Sequence, residues 1–443
     1  MSKCDDYLNE VCREVRFRAA RKYVKQELSA HIDDKRLQLE QSDATDAEAE
    51  AVKAMGDAVQ TGQALNAIHR PRVEWGVIAC VILLCAAGFI AQQAIYANGI
   101  NGAPLAIMFS RIDWLPMVLG LILMAVLMFA DYTWLIWLRH ACFGVALACI
   151  AVYVWFKPGE AYFDALPRWY WEVVVIIAPA VLFLLSMSGF IQRHRKWRIR
   201  DMALLLGLSV VALFAMSRVS YVYTLLLAAA ELAMLLTALA ASSLSSVHKA
   251  ARTAACVAAV ILILAVLRIP QLIASTVFID YGTESVREML SGAPVVGTSP
   301  AFAASGVWSL SDGTGTQMLT SSIGAYGWLF GVAVSAASCA LLILMISRSL
   351  RMSHTYGRHL ALGVCVYIGI RFFFSMLFSF GIANSLSLEL PFFGPSSMNL
   401  VTDSALVGVF LSVWRRSSFM PRDADPAAAA SQVSDVSPAP PIQ

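Results

Sequence analysis

Leu390-Pro391-Phe392-Phe393-Gly394-Pro395-Ser396-Ser397 lies between two apolar runs, roughly 359–384 and 399–414. Pro391 removes a backbone donor and cannot continue a helix, so the stretch reads as a break before the last helix. Ser396 and Ser397 suit the N-cap of that helix. The last run ends in Arg415-Arg416, and the run before the break follows a basic loop with Arg348, Arg351 and Arg358.

Outward from this turn, apolar runs follow one another back to Trp75. A helix of about twenty residues crosses the hydrocarbon core of a bilayer. The runs 75–97, 114–130, 134–155, 171–191, 202–217, 220–241, 253–273, 321–347, 359–384 and 399–414 therefore predict ten spans. The fifth is short and meets the sixth through a tight turn at Arg218-Val219. Composition agrees: 58% of the chain is hydrophobic and 14% charged, with a mean hydropathy of +0.66. Soluble domains carry about a quarter charged residues. The predicted fold class is all-α, a polytopic membrane protein of about ten transmembrane helices.

Basic residues set the orientation. One side collects Arg193, Arg195, Lys196, Arg198, Arg200, Lys249, Arg252, Arg348, Arg351, Arg358, Arg415, Arg416 and Arg422. The other holds only Arg111, Lys157, Arg168, Arg218 and Arg287. The positive-inside rule makes the first side cytoplasmic, with both termini inside. Trp114, Trp155, Trp169 and Trp171 fall at the expected interfaces, as an aromatic belt would. The nine cysteines form no disulfide framework and no ligand set; those within the apolar runs read as small packing residues.

Residues 1–73 read as a separate cytosolic helical module, 74–416 as the membrane domain, and 417–443 as a disordered cytosolic tail rich in Ala, Pro and Ser. In the module, Val11, Val15, Ala19, Tyr23, Val24, Leu28 and Ile32 recur at helical spacing and predict one long amphipathic helix. Thr45 and Glu48 suggest a capping box for a second helix. Gly56 then Asp57 reads as a stop followed by a new N-cap. Arg13, Arg16, Arg18, Arg21, Lys22 and Lys25 form either a solvated face or a contact with anionic headgroups.

The segment 274–320 is too long for a mere connector. It carries Asp280, Glu284, Arg287, Glu288 and Asp312 on the non-cytoplasmic side. Glu231, Arg371 and Asp403 are ionisable residues inside predicted spans, and such residues are costly in lipid. Glu231 and Arg371 either pair within the bundle to fix packing or line a polar groove. The chain has no Walker A loop, no GxGxxG after a strand and no HExxH.

Three stretches resemble the FtsW/RodA/SpoVE (SEDS) cell-wall family. Gly282-Thr283-Glu284-Ser285-Val286-Arg287, running on to Gly297, is similar to the family's Gly-Tyr-Gln-x-x-Gln segment and its following glycine. Thr316-Gln317-Met318-Leu319 through Gly327-Trp328-Leu329-Phe330-Gly331 resembles Thr-Asp-Phe-Ile-Phe leading into Gly-Phe-Ile-Gly. Leu390 to Ser397 resembles Leu-Pro-Phe-Ile-Ser-Tyr-Gly-Gly-Ser-Ser with two residues missing. The module resembles a permease-prefix segment in Ala54-Met55-Gly56-Asp57 and His69-Arg70-Pro71.

The resemblance implies peptidoglycan glycosyltransfer in the bacterial plasma membrane, serving division, cell shape or sporulation. A lipid-linked disaccharide precursor (lipid II) would be the substrate. A class B penicillin-binding transpeptidase and other divisome or elongation proteins would be partners, and nucleic acid would not. No cofactor is encoded and no protein metal site is expected; a divalent cation (Mg or Mn) would accompany the substrate diphosphate. The family's presumed catalytic aspartate falls on Thr316, which cannot act as a base near neutral pH. Asp312, four residues earlier, is the candidate catalytic residue, or else a turn-capping aspartate. Arg268 and Arg287 are the candidate diphosphate contacts, with Glu284, Glu231 and Arg371 as further substrate-binding candidates. The departures leave two other functions open: an inactive scaffold or lipid-precursor binder, and a lipid-precursor flippase or transporter.

Overall fold

A computed structural model describes residues 3–41, 46–68, 72–99, 114–155, 176–194, 196–267, 283–300, 302, 318–352, 354–382, 388–394 and 399–417. The chain divides into two compact units. One comprises residues 1–73, 352–354 and 414–443; the other comprises 74–351 and 355–413.

The first unit contains α1 (Lys3–Glu14), α2 (Arg18–Glu40), α3 (Ala47–Ala54) and α4 (Ala58–Ile68). The long amphipathic helix expected from the spacing is two helices, broken at 15–17. Side chains supply the partners that the break exposes. Arg21 Nε donates to the Val15 carbonyl at 2.8 Å, and Asn66 Oδ1 accepts from the Arg16 amide at 3.1 Å. Lys25 then donates to Asn9 at 3.3 Å, so α2 runs back along α1. The apolar stripe survives the fold-back: Val11, Val15, Val24, Leu28 and Ile32 are all buried. Asp46, and not Thr45, caps α3 by accepting from the Ala49 amide; Thr45 lies outside the described residues. Gly56 has φ +83° and Asp57 Oδ1 accepts from the Gln60 amide at 2.8 Å, as the stop-and-cap reading expects.

The second unit holds α5 (Trp75–Gly99), α6 (Leu115–Phe129), α7 (Trp134–Trp155), α8 (Ala178–Arg193), α9 (Ile199–Ser217), α10 (Tyr221–Ala240), α11 (Ser246–Val266), α12 (Thr283–Ser291), α13 (Met318–Tyr326), α14 (Trp328–Leu350), α15 (Thr355–Ser379) and most of α16 (Asn399–Arg416). Seven of these, α5, α7, α9, α10, α11, α14 and α15, are long and apolar enough to cross a membrane. α6 and α8 are shorter apolar helices. α16 is continuous but carries Asp403 within it and ends in Arg415-Arg416. Every expected span has its helix, and among the described residues there is no strand. The chain is a multi-pass, all-α membrane protein.

Burial ranks the helices. In α10 67% of the span is buried and in α15 56%, against 11% for α7 and for α11. The first pair forms the centre and the second pair the lipid-facing rim. Trp114 and Trp155 are exposed at helix ends, in keeping with a belt; Trp169 and Trp171 lie outside the described residues. All nine cysteines are free. Two expectations shift. The seventh span begins at Ser246, so Arg252 is helical. The eighth is split into α13 and α14 at Gly327.

Candidate functional site

Most of the left-handed backbone of the membrane unit (Gly297, Gly327, Gly381 and Phe392) gathers at one end, where α15 ends and α14 and α16 begin; Trp197, at φ +50°, lies apart between α8 and α9. Lipid leaves no solvent for open peptide groups, so non-helical backbone at depth must be satisfied by protein. At Gly327 it is. Pro294 O accepts from the Trp328 amide and Val295 O from the Leu329 amide, both at 3.0 Å. On the other side of the break, Gly297 N donates to Tyr326 O at 3.0 Å and Ser299 N to Gly324 O at 2.7 Å. The segment 292–300 thus threads across the broken helix and pairs with both halves. Gly327 sits at φ +92° and ψ 174°, a region open only to glycine. A Cβ there would lie 2.6 Å from Val295 O.

α12 seals this junction. Its Val286, Met289 and Leu290 turn inward, and Met289 packs with Phe302 and Ala325. Arg287 Nε donates to Gly381 O at 2.8 Å. Gly381 has φ +66° and follows the last turn of α15, so Arg287 closes that helix end. Thr320 Oγ1 donates to Ser379 O at 3.0 Å and holds α13 to the same place.

The stretch at 390–393 is a turn in which Phe393 N donates to Leu390 O at 3.2 Å. Pro391 takes its second position. The third needs φ above zero and usually holds glycine. Here it holds Phe392 at φ +65°. Bulky residues rarely adopt that conformation, at a cost of about 1–3 kcal/mol. Burial holds it: Phe392 is 1% exposed and Phe393 0%. Phe393 lies directly on α5, where a Cβ on Gly88 would meet Phe393 O at 2.3 Å.

Beside the turn lies a buried polar cluster. Arg371 on α15 donates to Asp403 on α16, and neither is more than 1% exposed. Tyr223 on α10 donates its hydroxyl to Asn399 Oδ1 at 3.2 Å, and Asn399 Nδ2 donates to Glu389 Oε2 at 2.9 Å. Tyr223, Tyr367 and Glu389 all act electrostatically on the Arg371 charge. Four elements, α10, α15, α16 and the 388–394 segment, therefore converge on one ion pair and one hydrogen-bonded chain.

A chain of a peptidoglycan synthase complex, solved for its structural coordination of polymerization and crosslinking, superposes with a TM-score of 0.53 at 17% identity. The match covers 78% of this chain and 98% of that one. This chain shares that synthase fold. At such identity the likeness is one of fold, and it agrees with the FtsW/RodA/SpoVE resemblance of the three stretches. Two structures of Thermus thermophilus rod shape determining protein RodA, one a point mutant, match at 17% and 16% identity with a TM-score of 0.49. Each covers 80% of this chain, and 98% and 99% of its own. No family model and no curated protein matches the sequence.

Within the synthase fold the sequence candidates separate. Arg371 is in the polar cluster. Arg287 is at the end of α15. Glu231, 1% exposed on α10, lies beside Ser209 of α9, eight residues and about 12 Å along the helix from Tyr223. It is not brought to Arg371. Arg268, Asp312 and Thr316 lie outside the described residues, as does the side chain of Glu284. Among the described residues no three His, Cys, Asp or Glu side chains are grouped to hold a metal.

Sequence reasoning passed over Glu389, Asn399, Tyr223 and Tyr367. Glu389 had a signal: an acid between Leu388 and Leu390, both 3% exposed, in a segment otherwise apolar. The two tyrosines had none, because aromatics are ordinary in a span.

Proposed function

We propose that this chain is a divergent FtsW/RodA/SpoVE-type peptidoglycan glycosyltransferase, a bacterial multi-pass protein with both termini cytoplasmic. The observation that carries this reading is the synthase fold, spanning nearly the whole of the matched chain. The ordered motifs and the elaborated backbone at one end of the bundle support it. The substrate is a lipid-linked disaccharide of the lipid II class, its isoprenoid in the bilayer and its diphosphate and sugars at the end that bears 283–300 and 388–394.

Chain growth joins a sugar hydroxyl to an anomeric carbon and releases a lipid diphosphate. A cation near the diphosphate stabilises the leaving group. Arg268, Arg287 and a divalent ion are the candidates, while Arg371, fully buried against Asp403, acts from behind. A carboxylate must take the hydroxyl proton; the sequence offers Asp312. A class B penicillin-binding transpeptidase is the partner this fold calls for, because the matched synthase is a complex joining polymerization to crosslinking.

Thr316, where the resemblance implies an aspartate, favours a second reading: a member that binds the lipid precursor or scaffolds partners without polymerising it. Reconstitution decides between them. Protein in nanodiscs is given lipid-linked disaccharide, Mg2+ or Mn2+ and a transpeptidase partner, and glycan is resolved by size. Polymer from folded wild-type protein supports the enzyme; precursor binding without polymer supports the scaffold. A transporter would instead move labelled precursor across the bilayer and lose that activity in Glu231→Gln.

A further inference from the structure

The reaction just described needs a proton acceptor, and the described residues contain a carboxylate built for one. We infer, on the polymerase reading, that Glu389 is the catalytic base, in place of Asp312. Three independent observations converge on it.

The first is placement. Glu389 is the only charged residue of the segment 388–394, and it is half-buried where Leu388, Leu390, Phe392 and Phe393 are all at most 3% exposed. The segment pins four apolar side chains inward and leaves its single carboxylate at the margin of the protein interior.

The second is orientation. A base must be held before its substrate arrives. Glu389 Oε2 is held by Asn399 Nδ2, and Asn399 is oriented in turn by the Tyr223 hydroxyl. An ionised carboxylate only accepts, so the Asn399 nitrogen faces Glu389 and its oxygen is left to accept from the Tyr223 hydroxyl. The Tyr223–Asn399 pair therefore presents a donor to Glu389 and holds its Oε2 in place. Asn399 and Tyr223 are positioning residues, and the Arg371–Asp403 pair acts electrostatically on Tyr223 and Glu389.

The third is strain. Three residues beyond Glu389, Phe392 is held at φ +65°. A strained residue persists where its surroundings over-determine it, and such residues cluster where geometry matters to function. A glycine at 392 would remove the strain; the phenyl ring, 1% exposed, instead locks the segment that carries Glu389.

In the step, the acceptor hydroxyl oxygen forms a bond to the donor's anomeric carbon. The bond from that carbon to the diphosphate oxygen breaks, and the lipid diphosphate leaves with the electron pair. The hydroxyl proton passes to the Glu389 carboxylate and from there to solvent.

The test is nanodisc polymerisation from lipid-linked disaccharide with Mg2+ and the transpeptidase partner. Glu389→Gln, Glu389→Asp, Tyr223→Phe and the exposed control Glu288→Gln are run beside wild type. Glu389→Gln is expected to lower kcat at least 100-fold with KM within about twofold, in the range that general bases contribute. Glu389→Asp recovers part of the rate, and Glu288→Gln matches wild type. Tyr223→Phe lowers kcat about tenfold at unchanged KM. Wild-type kcat in Glu389→Gln overturns the assignment and leaves the polymerase reading intact. If Glu389→Gln loses its melting transition, Tyr223→Phe decides: a kcat within twofold of wild type overturns the assignment. Absence of polymer from folded wild-type protein with its partner overturns the polymerase reading and this assignment together.

Discussion

Two of the non-helical joints in the membrane unit are built in opposite ways. At Gly327 the chain uses a residue with no side chain in a conformation only that residue enjoys, and four backbone hydrogen bonds from 292–300 knit the two helix ends together. At Phe392 the chain puts a large side chain into a left-handed turn and holds it by burial, while the next residue, Phe393, lies on α5. The first is a relaxed joint whose support is peptide backbone. The second is a strained joint whose support is side chains. Backbone support asks little of the side chains on 292–300; side-chain support depends on Phe392 and Phe393 themselves.

The largest break in that contrast is expected from Arg371→Met. It strands Asp403 as an uncompensated buried charge and should cost about 3–5 kcal/mol. Arg371→Met with Asp403→Leu should recover most of it, as read by denaturant unfolding in micelles. A double variant as unstable as the single would show that the pair is not the support.

Gly327→Ala comes next, at about 3 kcal/mol, from backbone strain and the approach of a Cβ to Val295 O. The matching experiment at Gly56, φ +83° with open space around its Cβ, isolates the conformational part. Gly56→Ala should cost only about 1 kcal/mol, and equal losses at the two glycines would deny that close packing matters at 327.

The strain at 392 can be measured by difference. Phe393→Ala removes a fully buried ring and costs about 3–5 kcal/mol. Phe392→Gly removes a ring too but releases the turn, so it should cost about 1–2 kcal/mol less. Equal melting shifts for the two variants would mean the turn is not strained.

The smallest effect concerns the first unit and pH. Hydrogen bonding from Lys3 holds the Asp46 carboxyl below its ordinary value. A depressed folded value means the contribution is complete above the ordinary carboxylate range and lost as pH falls through the folded value. Both side chains are exposed, so the helical signal of the isolated contact should change little above that range and only slightly below it. A strong loss of α3 near neutral pH would contradict this.

How far the sequence foretold these features depends on the physics behind each. The apolar runs followed from length and apolarity, which need no partner: each of the ten holds a helix, and seven of those helices are long and apolar enough to cross a membrane. The break at 15–17 was hidden because Val11, Val15 and Val24 keep helical spacing on both sides of it; the fold-back depends on Arg21 and Asn66, which sit far from any apolar pattern. The split at Gly327 was hidden for a related reason, since glycine is common in membrane helices and its partners lie about thirty residues upstream. Arg371 and Asp403 stood out as ionisable residues inside spans. Their pairing did not, because it depends on the register of α15 against α16. The turn 390–393 was legible as a break through Pro391; that Phe392 carries the left-handed residue was not, because composition alone would have assigned it to Gly394.

The threading of 292–300 has one more consequence. The first two amides of α14 already face the carbonyls of Pro294 and Val295. The positive pole of that helix is thereby partly quenched by peptide oxygen, and an approaching phosphate finds those two amides already taken. An anionic headgroup at this end of the bundle then relies on side-chain cations or a metal ion more than on the first two amides of α14, and its affinity should track salt and divalent concentration.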